Sequence, residues 1–84
     1  MKNVLEHIIK SLVVNKDNVT ITEETKDKLV YFHINVDKED IGKVIGHEGK
    51  IAKSIRSIMG AIATVENVKV IIDIKWLIIL ELVS

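Results

Sequence analysis

The stretch DIGKVIGHEGKIAKSIRSIM, from Asp40 to Met59, decides how this chain folds. Gly42, Gly46 and Gly49 fall within eight residues of one another, so most of the chain's backbone freedom is concentrated here. Ile41, Val44 and Ile45 form the apolar side of a short helix, which opens behind Asp37 with acids in its first turn. Gly46 stops that helix and Gly49 closes a four-residue loop. A longer helix follows over about residues 50–65, with Ile51, Ile55, Ile58, Met59 and Ile62 on its core side. Lys50, Lys53, Ser54 and Ser57 fall mostly outside that stripe, and Gly60 weakens the helix by roughly 1 kcal/mol relative to Ala.

A junction of two helices at Gly46-His47-Glu48-Gly49 requires positive φ or close backbone approach, which glycine supplies at little cost. The loop feeds the start of the longer helix, where free N–H groups and the positive end of the helix dipole favour an anion. Lys43, Lys50 and Lys53 flank it. By itself a G-x-x-G is more often a plain turn among solvated lysines. Its place between two helices with apolar inner faces and basic neighbours favours a site for a phosphodiester backbone. Other glycine motifs fail on spacing. A P-loop needs a glycine where Val44 stands, and the three glycines do not fit G-x-G-x-x-G.

Working outward, Val4, Leu5, Ile8, Ile9 and Leu12 recur at helical spacing over about residues 2–14. Val19 and Ile21 alternate with Thr20 and Thr22 as a short strand, and Lys26-Asp27-Lys28 forms a hairpin turn. Val30, Phe32, Ile34 and Val36 put four apolar side chains on one face of a second strand. Val68, Val70, Ile72 and Ile74 mark a third, ending near residue 75. The expected fold is α+β in the order αββααβ: a three-stranded sheet with three helices packed on one face, a sheet that the resemblance named below implies is mixed.

With 84 residues the chain holds one domain, of the modest stability that a small core provides. It has no cysteine, which excludes a disulfide scaffold, a thiol nucleophile and a Cys-ligated metal. The N-terminus lacks the pattern of a signal peptide, and no apolar run approaches the ~18–20 residues of a membrane span. His7, His33 and His47 are too scattered for a metal site, and no nucleophile–base pair stands out, so neither an enzyme nor a cofactor is expected. Twelve basic and twelve acidic residues give zero net charge, which weighs against a nucleic-acid partner. That balance is an average. Residues 41–60 carry Lys43, Lys50, Lys53 and Arg56 against Glu48 alone, a local +3. With only Tyr31, Phe32 and Trp76 as aromatics, a base-stacking sheet face is not expected.

The VIGxxG core and the basic helix after it resemble a KH domain, and the helix and strand ahead of that unit resemble the type II arrangement. LEHIIKSLVVNKDNVTI, DIGKVIGHEGKIAKSIR and ATVENVKVIIDI together are similar to the small bacterial single-KH proteins of the KhpA type, a likeness covering about residues 1–75. The resemblance implies a cytoplasmic, non-catalytic RNA-binding protein. Its groove, between the loop with its helices and the sheet edge, would hold about four nucleotides of single-stranded RNA. Gly46, His47, Glu48 and Gly49 would meet the sugar-phosphate backbone, Lys43, Lys50 and Lys53 would add charge, and Ile45 would line the groove floor. It further implies homodimerisation, pairing with a larger KH-domain protein, and an RNA-chaperone role tied to the cell envelope and cell length.

Three features depart from that pattern. His47 stands where the family usually has Lys or Arg, and an imidazole carries little charge near neutral pH. Glu48 sets an acid beside the expected phosphate path. Residues 76–84, rich in apolar side chains of both parities, continue beyond the resemblance as an extension of the last strand or an interface tail. These features support an alternative: a protein–protein or dimerisation module with weak RNA binding of its own.

Overall fold

The computed structural model describes residues 1–76, the last of them by its backbone alone. Its elements are α1 (Lys2–Leu12), β1 (Thr20–Lys26), β2 (Leu29–Val36), α2 (Ile41–Ile45), α3 (Lys50–Val65) and β3 (Lys69–Trp76). The sheet order is β1-β2-β3, antiparallel between β1 and β2 and parallel between β2 and β3. A parallel pair needs a long crossover, and α2 and α3 provide it, so the glycine-rich junction lies inside the crossover. The α+β order αββααβ is the one expected of a type II KH domain.

Period-2 burial makes β2 the centre of the fold. Val30, Phe32, Ile34 and Val36 are buried, whereas Tyr31, His33 and Asn35 on the other face are half-buried. Leu5 and Ile9 of α1, Val44 of α2, Ile55 and Met59 of α3 and Ile72 of β3 join them in one core. On the opposite sheet face Tyr31 stacks on His33, with ring centroids 4.7 Å apart. Glu24 and Asp73 hold the two imidazole nitrogens at 3.1 and 3.7 Å.

Four boundaries or assignments differ from expectation, each for a physical reason. First, α1 stops at Leu12 because Val13 turns to extended backbone; its side chain is nonetheless buried. Second, β1 runs to Lys26 although Thr22 to Lys26 are all exposed. Backbone pairing with β2, from Thr20 opposite Asn35 to Lys26 opposite Leu29, holds it without apolar alternation, and the turn narrows to Asp27 and Lys28. Third, β3 starts and ends one residue later than expected; residues 77–84, the rest of the expected extension or interface tail, lie outside the described residues. Fourth, the core stripe of α3 is Ala52, Ile55, Met59 and Ala63. Ile58 is 47% exposed and does not belong to it. Ile58 precedes Met59 by one residue and so points about 100° away around the helix, while the small alanines Ala52 and Ala63 are buried in the stripe. Ile51 and Ile62 pack half-buried at the margin of the core.

Candidate nucleic-acid interface

The interface begins with a buried acid. Asp40 was expected as a first-turn acid, yet its side chain is fully buried. Its carboxylate accepts the backbone N–H of Val14 at 3.1 Å, that of Asn15 at 2.9 Å and the Asn15 side-chain amide at 3.0 Å. Asp40 therefore ties the end of α1 to the start of α2, while Asp37 does the capping by accepting the Glu39 N–H at 2.9 Å. Burial pushes the Asp40 carboxyl up, but the N–H donors of Asn15 and Val14, the Asn15 amide and the Lys43 ammonium outweigh it. The net result lies below the ordinary value of 3.8.

Anchored in this way, α2 delivers the chain to Gly46, whose N–H closes the helix on Gly42 O at 2.9 Å. Gly46 has φ 79°, and a Cβ there would meet Ile51 Cγ1 at 2.6 Å and Ile51 N at 2.9 Å, so both conformation and space demand glycine. Glu48 (φ 56°) and Gly49 (φ 75°) follow in left-handed conformations. The Gly49 N–H donates to Gly46 O at 3.1 Å, which rounds the loop into a tight turn. Gly49 leads straight into α3, and no side chain caps that helix start. His47 and Glu48 are exposed, and Glu48 makes no ion pair among the described residues.

The structure brings all eight expected residues into this α2–loop–α3 unit. Lys50 and Lys53 are exposed on the first turns of α3, a helix start without a side-chain cap whose Lys50 N–H donates to His47 O. Lys43 lies 3.7 Å from the Asp40 carboxylate, which draws its ammonium toward α2. Ile45 is half-buried against the core. Arg56, which in the sequence adds only to the local charge, also has a place here. Arg56 reaches from α3 and donates from Nη2 to Ile72 O, 3.2 Å away on β3, the strand at the sheet's edge. The signal for it is the three-residue spacing of Lys50, Lys53 and Arg56, which winds a basic line along the helix from the loop to the sheet.

A family model described as the KH domain of KhpA and KhpB matches residues 2–74. The chain belongs to this KhpA/KhpB KH-domain family. The protein named RNA-binding protein KhpA in Clostridium acetobutylicum is 45% identical over 74 residues, covering 88% of this chain and 99% of that protein. Its namesake in Clostridium perfringens is 42% identical with the same coverage. That of Aquifex aeolicus is 39% identical over 88% of this chain and 94% of its own length. The KhpA/KhpB match thus spans α1 to β3 and includes the whole glycine loop. No helix among the described residues is long and apolar enough to cross a membrane, and none of their His, Asp and Glu side chains form a group able to hold a metal ion.

Proposed function

We propose that this chain is a non-catalytic, cytoplasmic RNA-binding protein that clamps the backbone of about four single-stranded nucleotides on the Gly46–Gly49 loop. The observation that carries this reading is the loop itself: a tight left-handed turn, forced by Gly46, that opens onto an uncapped helix start with Lys50 and Lys53 beside it. A phosphate over the loop accepts from backbone N–H groups and is partly neutralised by the two ammonium groups, while Gly46 and Gly49 keep side chains out of its path. Lys43 contributes less than the other lysines because Asp40 holds it. Ile45 supplies apolar surface next to the strand. With its backbone held there, the RNA lays its bases toward the edge of β3, to which Arg56 is hydrogen-bonded at Ile72. Membership in the KhpA/KhpB family and the relatives named RNA-binding proteins support the reading. The same resemblance supports action as an RNA chaperone linked to the cell envelope and cell length, homodimer formation and a larger KH-domain partner.

Glu48 favours a second reading, in which the module serves mainly protein contacts: an exposed carboxylate with no ion pair among the described residues repels a phosphate on the same loop. One double variant separates the two. His47→Asp with Glu48→Asp keeps both glycines and adds negative charge. In the clamp reading it binds short single-stranded RNA much more weakly than the wild type in a fluorescence-anisotropy titration. Equal binding by both forms rejects the clamp and leaves the protein-contact reading.

A further inference from the structure

Three depressions adjoin along the edge of β3 that pairs with no strand among the described residues. The first lies at Arg56, bounded by Val70 and Ile72. The next is floored by Gly60 and shares Val70 and Ile71 with the first. It opens in turn, through Thr64 and Val68, onto a recess of about 690 Å³ at the far end of the sheet. Lys26 and Lys28 of the hairpin and Lys69 at the start of β3 line that recess, against Asp27 as its one acid. Of the neighbouring acids, Glu23 and Glu66 line a hollow beside α1 that meets the recess at Val68, and Glu24 lines another that shares Lys26 and Leu29 with it. Gly60 leaves the middle of the path open, since a Cβ added there would meet nothing within 4 Å. The loop and the recess stand at opposite ends of α3, whose 16 residues span about 24 Å.

We propose that the RNA does not stop after four nucleotides but continues along the β3 edge, past Arg56, into the lysine recess, which holds a second stretch of phosphates. This inference rests on the clamp reading and extends it. The Arg56 guanidinium stands midway along the path, already reaching across it to the Ile72 carbonyl. The recess carries three ammonium groups on flexible stems and has apolar ground in Leu29 and Val68. That combination suits phosphates flanked by unstacked bases. Lys26, Lys28 and Lys69 come from two distant parts of the chain, so the patch exists only in the fold.

The test compares two unstructured RNAs, a uridine tetramer and a uridine dodecamer, on the wild type and on a Lys26→Ala, Lys28→Ala, Lys69→Ala variant, with binding followed by amide NMR shifts. Circular dichroism checks the fold, and the single charge reversal Lys28→Glu serves as a second variant. The tetramer reports on the loop alone and should bind wild type and variants equally. The dodecamer should bind the triple variant about tenfold more weakly than the wild type, with the slope of log K against log salt reduced by about 2. Comparing proteins on the same RNA cancels the extra binding registers that a longer strand offers. If the variants bind the dodecamer as the wild type does, or lose both RNAs equally, the second contact is overturned. If the wild type binds neither RNA, the clamp reading fails and takes the extension with it.

Discussion

Two residues with very different visibility position the loop. Gly46 was legible in the sequence, because a G-x-x-G between two apolar helical stripes calls for unusual backbone angles. What the sequence did not reveal is the second reason for glycine there, the Ile51 side chain against its Cα. Asp40 was legible only as a helix-start acid. Its real partners, Val14 and Asn15, lie 26 and 25 residues away, and no local pattern links them. The buried carboxylate also gives the fold an acid limit. Its pKa is lower when folded than when unfolded, so ionised Asp40 stabilises the fold fully above the ordinary carboxylate value of 3.8. That contribution is lost as the pH falls through the lower folded value. Thermal melts from pH 7 down to pH 3 should show the wild type losing stability at the acid end. Asp40→Asn should start less stable at neutral pH and show a shallower acid decline; an equally steep decline would assign the acid limit to other groups.

At the scale of the element, the fold's order and the existence of the three α-helices and three strands were readable from periodicity, whereas the short 3-10 turns at 16–18, 38–40 and 47–49 were not. The structure departs from that pattern where periodicity does not decide. β1 is held by its backbone pairing and hence extends beyond its apolar residues. In α3 the hydrophobic count favoured Ile58, but direction around the helix favours Ala52 and Ala63. This distinction has a measurable consequence. Ile55 is 2% exposed and Ile58 is 47% exposed. Ile55→Ala should therefore cost about 2–5 kcal/mol in urea unfolding, by loss of buried contacts and creation of a cavity. Ile58→Ala should cost less than about 1 kcal/mol, since the site is half in water and alanine is the better helix former. Comparable losses at the two positions would mean that α3 is rotated from the orientation described.

For the molecule as a whole, zero net charge conceals separated regions of opposite sign. The positive loop region was visible as a run in the sequence. The lysine recess was not, since Lys69 meets Lys26 and Lys28 only through the pairing of β3 with β2. A neutral whole with local basic regions should give RNA binding that weakens steeply with salt, each phosphate contact releasing counterions. The association rate should lack strong long-range steering. Stopped-flow mixing with a uridine dodecamer at several salt concentrations separates these effects: salt should act mainly on the dissociation rate. A large salt effect on association would instead point to a long-range field that the neutral chain lacks.

The parallel pairing of β2 and β3 also sets a schedule. Leu29 pairs with Lys69 and Val36 with Trp76, so the central strand waits for partners forty residues later. On the ribosome, α1, the hairpin and the glycine loop emerge first, while the flank of β2 that β3 will cover stays open to water. Closing that long connection is the entropically costly step. The edge along which we propose the RNA to run is thus made by the last strand to join the described sheet, and a nascent chain gains it only when β3 has paired with β2.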